Sequence, residues 1–467
     1  LFSGDFDLFR PGGRDEEFFT TPWWRSGRYL LLRIRTGSDP LELCALSFRE
    51  TRQPVELAAR FTASDPRLEA FIPVGMRSLQ MCAHETLMDC PYYEQLQYVG
   101  DSRLEALVLY VAATSDALAK KCILQFDESR LISGVTRASY PNHETQVIPG
   151  FSLHWISMVY DYARYRDDSG FVRDRLSGSR AVLDWYSRLV THDGTVGPVP
   201  YWNFVDWATD WENGVPPAGA DGASCVNSLE YADALGHAAA LEEYAGEPEF
   251  AALYRRRRAA VLEAVVERYW DESRGLFADT VERDRFSEHV QALALSLGAG
   301  SDVQRARVLE GLLSDGDLSR CTIYYSWYLF EALFAEGRAE AVLDRMEHWF
   351  GHHDRGLVTC AETPEPSRSD CHAWGSHPIW HYYSSLAGIR PADWGFRRVR
   401  IVPCLGTLDS LEATMPHPAG PISVTYERRD TRLQCTVGLP EGLSGELEWG
   451  GSVMALEPGE QTYELGG

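Results

Sequence analysis

From Asp65 onward, apolar residues recur three and four positions apart, as on one face of a helix: Leu68, Phe71, Ile72, Gly75, Leu79 and Cys82. Asp65 suits the cap of that helix and Pro66 its first position. The same period continues through segments near 101–121, 151–167, 173–190, 224–246, 248–270, 287–298, 303–314, 320–336, 338–351 and 371–388. The connections carry turn chemistry, as in Asp127-Glu-Ser-Arg130, His192-Asp-Gly-Thr195 and Asp271-Glu-Ser-Arg-Gly275. Consecutive helices are therefore expected to pack as antiparallel hairpins and to close into a double ring. The echo of Asp-Glu-Ser-Arg is too short to define a repeat.

At both ends the period changes to two. Arg28–Arg35 and Leu43–Phe48 are β-prone runs between Gly and Pro punctuation, which predicts the end of a β-sandwich over residues 1–62. After Pro391, the runs Val399–Val402, Ile422–Tyr426, Leu433–Val437 and Gly445–Trp449 alternate as half-buried strands. The expected layout is a mainly α protein: a helical domain over 63–390 between an N-terminal β-sandwich portion and a C-terminal β-sandwich over 391–467.

Composition narrows the class without changing this layout. The chain has 467 residues, 45% hydrophobic and 24% charged, which excludes a disordered, collagenous or coiled-coil protein. With 68 acidic and 44 basic residues the formal charge is −24, so the surface repels phosphate backbones and anionic lipid; nucleic acid and membrane are not expected partners. The longest apolar run, Leu104–Ala119, is broken by Glu105, Ser115 and Asp116, short of the roughly 18 residues a membrane helix needs. The first residues lack both Met and the pattern of a signal peptide, so the natural start is expected to lie upstream, and compartment and homodimer formation stay open. The ten Cys include no C-x-x-C pair and read as mostly buried thiols. Cys371-His372, His377 and His381 read as packing on one helix rather than as a zinc site, and neither metal nor cofactor is expected.

Candidate chemistry concentrates in two loops, each leading into a helix. Asp89-Cys-Pro-Tyr-Tyr-Glu-Gln-Leu-Gln-Tyr-Val-Gly-Asp101 holds three carboxylates within thirteen residues. Their mutual repulsion is a means of keeping one carboxyl group protonated as a general acid. In Leu357-Val-Thr-Cys-Ala-Glu-Thr-Pro-Glu-Pro366, Glu362 sits in an uncharged run, and a carboxylate across a cavity from Glu94 is placed to activate water. His372 and Trp374 follow as candidates to hold a sugar. Trp202, Trp207 and Trp211, with Asp206 among them, fall within ten residues. Flat apolar faces beside acids and amides are the composition of a polar-ligand pocket.

These motifs together resemble the α-L-rhamnosidases of glycoside hydrolase family 78. The resemblance rests on the Asp-Cys-Pro, Glu and Gly-Asp elements of 89–101, on Thr359-x-x-Glu362, on His372, and on Leu386-Ala-Gly-Ile-Arg-Pro391 leading into Ile401-Val-Pro403. It implies an (α/α)6 toroid flanked by β-sandwiches and an inverting exo-hydrolysis of terminal α-L-rhamnosyl residues without metal. It further implies that Glu94 is the general acid, Glu362 the general base, and Asp89, Asp101 and His372 contacts to the sugar. An inverting pair holds a water between its carboxyl groups, which places them about 6.5–9.5 Å apart. The family's commonest string, Asp-Cys-Pro-x-Arg-Asp-Glu-Arg-x-Gly-Trp-x-Gly-Asp, is one residue longer. Here Tyr93 stands for its Arg and Tyr98 for its Trp, which bears on the identity of the sugar more than on the reaction. Glu365 lies close enough to Glu362 to compete for the base role. Two rivals stay open: a glycosidase acting on another sugar or a lyase, the lyase having Tyr92, Tyr93 and His84 available as bases, and a carbohydrate-binding protein without turnover.

Overall fold

A computed structural model of the chain describes residues 6–466, apart from 116 and 431. The first long helix, α1 (Pro66–Cys82), starts where the sequence pattern puts it, with the Asp65 side chain accepting from the Arg67 N–H. Then follow α2 (Val99–Ala112), α3 (Ala117–Glu128), α4 (Pro149–Tyr165), α5 (Ser169–Ser187), α6 (Cys225–Ala245), α7 (Pro248–Tyr269), α8 (Glu288–Leu297), α9 (Asp302–Ser314) and α10 (Ser326–Ala335). The short helices α11 (Ala339–Arg345), α12 (Glu347–Asp354) and α13 (Pro378–His381) complete the helical part.

The helices sort into two kinds. Every residue of α2 is buried, as is most of α4, α6, α8 and α10, whereas α5, α7 and α9 bury one stripe. Along the buried set α2 packs on α4, α4 on α6, α6 on α8 and α8 on α10. Trp327 and Phe330 of α10 meet Trp380 and His381 of α13, and α13 returns to α2. A helix apolar on all sides needs neighbours on all sides, which the intervening amphipathic helices provide from outside.

Three expected helices come out differently. The 101–121 segment is split, because Ala58 and Ala59 donate backbone N–H bonds to the Ala112 carbonyl and end α2 there. The 320–336 segment becomes helical only at Ser326, since the N–H groups of Cys321 and Thr322 are taken by the carboxylates of Glu288 and Asp206. The 371–388 segment is a 3₁₀ turn (Ala373–Ser376), α13, and a π turn (Tyr382–Leu386), not one helix.

The strands are β1 (Arg60–Ala63), β2 (Trp270–Asp271), β3 (Leu276–Phe277), β4 (Ile389–Pro391), β5 (Arg398–Ile401), β6 (Ser410–Met415), β7 (Ile422–Arg429), β8 (Arg432–Leu439), β9 (Ser444–Trp449), β10 (Ser452–Leu456) and β11 (Gly459–Gly466). The C-terminal β domain has an antiparallel sheet β1-β6-β7-β8-β11 and a sheet β10-β9-β5-β4, in which β5 and β9 run parallel. Alternate residues of β7 and β8 are buried, as their period-two pattern requires.

The expected N-terminal β-sandwich is not seen among the described residues. Arg28–Arg35 and Leu43–Phe48 carry no strand and are exposed, and the nearest strand, β1, pairs with β6 of the C-terminal sheet. A β-prone run forms a strand only against a partner edge, and none of the described residues pairs with these two runs as a strand. The segment instead leans on the helical part through Trp24, stacked on His84 at 4.0 Å, and Trp23, whose indole N–H donates to the Gln95 side chain at 3.0 Å.

Gly388 joins the two parts with φ of +76°, and a Cβ there would lie 2.2 Å from the Val402 carbonyl oxygen. Neither the left-handed backbone nor that contact leaves room for a side chain. Gly388→Ala is expected to lower unfolding free energy by at least about 2 kcal/mol in urea titrations followed by circular dichroism.

Candidate active site

The acid-rich string is held as a loop by its own backbone. Asp89 N–H donates to the Leu96 carbonyl at 2.9 Å, and the Leu96 N–H donates to Asp89 Oδ1, also at 2.9 Å. Asp101 lies in the first turn of α2, where the helix dipole favours an acid. Gly100 beside it lets α2 approach Phe151 and Tyr324, since a Cβ there would lie 2.6 Å from the Phe151 ring.

The second string is stitched to the first. Ala373 N–H donates to the Asp89 carbonyl at 3.1 Å, and His372 N–H to the Cys360 carbonyl at 2.9 Å. The Trp374 indole N–H donates to the Glu362 carbonyl at 2.8 Å, while its ring stacks on Tyr324 at 4.9 Å. Trp374 therefore fixes the backbone of Glu362 as well as standing beside His372, 4.3 Å away.

The result is one cluster. His372 Nε2 lies 3.0 Å from Asp101 Oδ1, and His372 Nδ1 lies 4.0 Å from Glu362 Oε2. Asp89, Asp101, Glu362 and His372 are each at most 4% exposed. Burial pushes the Asp89 carboxyl up to about 7; His372 counteracts this, and Asp101 and Glu94 add to it. Burial likewise raises Asp101 against the opposing pull of its His372 bond. For His372 burial works downward, but Asp101, Asp89 and Glu362 outweigh it and hold the imidazole above its usual range. Asp89 Oδ2 and His372 Nδ1 are buried without a hydrogen-bond partner, so both have capacity for a ligand.

Arg368, absent from the sequence-based candidates, lies between the two glutamates. Its Nη2 donates to Glu94 Oε1 and, at 3.1 Å, to Glu362 Oε1, and its Nε donates to Glu362 Oε2 at 3.2 Å. Two oxygens bonded to one nitrogen are at most about 6 Å apart. The two carboxyl groups therefore face each other across one guanidinium, which lies where a water was expected. Glu365 pairs instead with Arg355 at 3.6 Å. Burial raises the Tyr98 phenol, and the carboxylate of Glu94 adds to the rise. Tyr93, exposed, lies under the Arg368 guanidinium at 5.6 Å.

The tryptophan loop is placed differently. Asp206 is wholly buried, with its Oδ2 2.8 Å from His289 Nε2 and accepting from Thr322 N–H at 2.7 Å, while its Oδ1 accepts from the Thr322 hydroxyl. It ties this loop to the starts of α8 and α10 and offers no carboxylate to a sugar. Trp211 covers His289 at 4.3 Å and lines a separate cleft of about 700 Å³ with Asp210, Asn213 and Arg285. Trp202 and Trp207 pack on Phe204, which reaches Tyr324 and through it Trp374.

Two further features escape sequence reading. Glu105 is fully buried with neither oxygen bonded, and burial pushes its carboxyl well above the usual range; its one trace in the sequence is a charge inside an apolar run. Asp89, Cys90 and His372 each bring a donor atom within 4.8 Å of the others. The donor chemistry does not fit a metal: burial raises the Cys90 thiol, and its sulfur already accepts from the Glu94 N–H. His377 and His381 turn away, to the Ile323 carbonyl and Ser385.

The helical part thus has the build of a six-hairpin glycosidase domain, followed by a β domain. The model of the bacterial alpha-L-rhamnosidase 6 hairpin glycosidase domain matches residues 56–386, and that of the bacterial alpha-L-rhamnosidase C-terminal domain matches 388–463. The chain belongs to the bacterial α-L-rhamnosidase family. Among solved structures it is similar to the GH78 family rhamnosidase of Bacillus sp. GL1, with TM-score 0.78 and 25% identity over 85% of this chain and 43% of that one. The α-L-rhamnosidase of Streptomyces avermitilis, complexed with L-rhamnose, gives 0.75 and 18% over 89% of this chain and 43% of that one. That of Dictyoglomus thermophilum gives 0.74 and 16% over 89% and 50%. This chain therefore spans about half the length of these relatives or less. No curated protein sequence matches it. No helix is long and apolar enough to cross a membrane among the described residues.

Because burial holds the Asp89 carboxyl near 7, well above its unfolded value near 3.9, its proton is lost from the unfolded chain first as pH rises. Its contribution is complete below about pH 4, declines up to about pH 7 and is then constant. Asp89→Asn does not ionise, so urea denaturation at stepped pH is expected to show the variant gaining on wild type by on the order of 3 kcal/mol between pH 4 and 7.5.

Proposed function

We propose that the protein is an inverting exo-glycosidase that removes terminal α-L-rhamnosyl residues from glycosides or polysaccharides. The observation that carries this reading is the meeting of Glu94 and Glu362 at one guanidinium beside the buried Asp89–Asp101–His372 group. Glu94 is the partly exposed carboxyl, on the side from which a leaving group departs, and acts as general acid. Glu362 is buried, held by Trp374 and faced by His372, whose imidazole is held above its usual range, and acts as general base on water. The unpartnered Asp89 Oδ2 and His372 Nδ1 receive sugar hydroxyls, with Asp101 orienting His372. Trp374 and Tyr98 line the sugar, Tyr93 lies at the mouth, and Trp202 and Trp207 extend the wall through Phe204. In this proposal the buried helices form the inner ring of an (α/α)6 toroid, residues 63–390 are the catalytic domain and 391–467 a C-terminal β-sandwich. The chemistry uses carboxyl groups alone and draws on no cofactor.

A lyase finds less support, because His84 is stacked under Trp24 and bonded to the Met81 carbonyl, and is not free as a base.

Hydrolysis of 4-nitrophenyl α-L-rhamnopyranoside, followed by NMR of the first sugar released, tests the proposal. The expected product is β-L-rhamnose. Glu362→Gln is expected to lose about 10²–10⁴-fold in kcat on every rhamnoside. Glu94→Gln is expected to lose that much on an alkyl rhamnoside but far less on the nitrophenyl one, whose leaving group needs little protonation. Release of α-L-rhamnose, or equal losses by Glu94→Gln on both substrates, sinks the assignment.

A further inference from the structure

Arg368 differs from its neighbours in the cluster. Asp89, Asp101, Glu362 and His372 are closed off from water, whereas the Arg368 side chain is 49% exposed and lies over exposed Tyr93. Its backbone neighbour is fixed: the Ser369 carbonyl accepts from Glu362 N–H at 2.9 Å and from the Ser367 hydroxyl at 2.9 Å. A rotation about its own side-chain bonds is therefore enough to move the guanidinium in or out, without opening the loop.

While it is in, it conflicts with catalysis. A general acid must present a proton to the glycosidic oxygen, yet Glu94 Oε1 is held by an N–H of the guanidinium shared with Glu362. A general base must bond water, yet both Glu362 oxygens accept from Arg368. The guanidinium also lies between acid and base, where the positive charge of an oxocarbenium-like transition state develops.

We propose that Arg368 is a resident counter-ion: it holds Glu94 and Glu362 together while no sugar is bound, and it is expelled by the substrate, whose developing positive charge takes its seat. Arg368 is then a positioning residue, and the seat it leaves accepts small organic cations. The inference rests on the catalytic pair proposed above, but its binding test does not depend on which sugar is cut.

The test uses the whole chain with Arg368→Ala, titrated with millimolar methylguanidinium chloride by calorimetry, with equal sodium chloride as control. Methylguanidinium is expected to bind the variant at least tenfold more tightly than wild type, and the added change Glu362→Gln should abolish the difference. In parallel, a cationic rhamnose-like iminosugar is expected to inhibit the variant at least tenfold more strongly than wild type, with neutral L-rhamnose changed less than threefold. Equal methylguanidinium binding by both proteins overturns the proposal. So does weaker iminosugar inhibition with a hundredfold loss of kcat at unchanged KM, which means that Arg368 stays and acts on the bound sugar. If Arg368→Ala does not fold, Arg368→Met, which keeps the stem over Tyr93, is put through the same titrations. Methylguanidinium binding without turnover of any rhamnoside leaves the cation seat standing and removes the rhamnosidase reading instead.

Discussion

Three carboxyl groups and one imidazole are withdrawn from water at the start of α2, with a fourth carboxyl, Glu94, at their edge. Gathering like charges in a medium of low polarity is unfavourable unless protons or cations divide them. Here Asp101 and Glu362 push His372 toward its charged form, Arg368 bridges Glu362 and Glu94, and Asp89 is pushed toward neutrality. The rest of the molecule serves to impose this arrangement. α2 presents Asp101 in its first turn, Gly100 lets neighbouring helices close around it, and the bond from Ala373 to Asp89 brings the two strings together.

The same constraint separates structural from chemical acids. Asp206 is as buried as Asp101 and also faces a histidine, yet its oxygens are taken by Thr322 and His289, so it works as a fastener for the loop before α6. Asp89 and His372 each keep one buried polar atom unbonded. Unsatisfied polar atoms are unfavourable in a folded core, and in the reading proposed above the sugar's hydroxyls supply the missing partners. Glu105 is also unbonded, but it is buried in the core one helical turn beyond Asp101, and burial pushes its carboxyl toward the neutral form.

Much of the fold was legible in the chain. Period-3.6 runs over long segments locate α1, α4, α5, α6 and α7 closely, and period-two runs locate β5, β7, β8 and β9, because each element buries a face that its own side chains must line. What misled was context. The β-prone runs at 28–35 and 43–48 have the composition of strands but no edge to join, and the 371–388 run breaks at turns set by what its residues bond to.

The sequence by itself determined the helical hairpins, the alternating strands and the identity of the acids in each string, since repeat period and local charge crowding are properties of neighbours along the chain. Only the tertiary structure decided that Asp89, Asp101, Glu362 and His372 form one buried group, that Asp206 is not among them, and that Arg368 lies between Glu94 and Glu362. Those facts depend on contacts between residues far apart in the chain, with separations of 271 for His372 and Asp101, 274 for Arg368 and Glu94, and 83 and 116 for Asp206 with His289 and Thr322. At such distances no local pattern records a partner; packing of the helices chooses it, and a lone arginine in Pro366-Ser-Arg-Ser-Asp370 looks like any exposed loop residue until it is seen between two carboxylates.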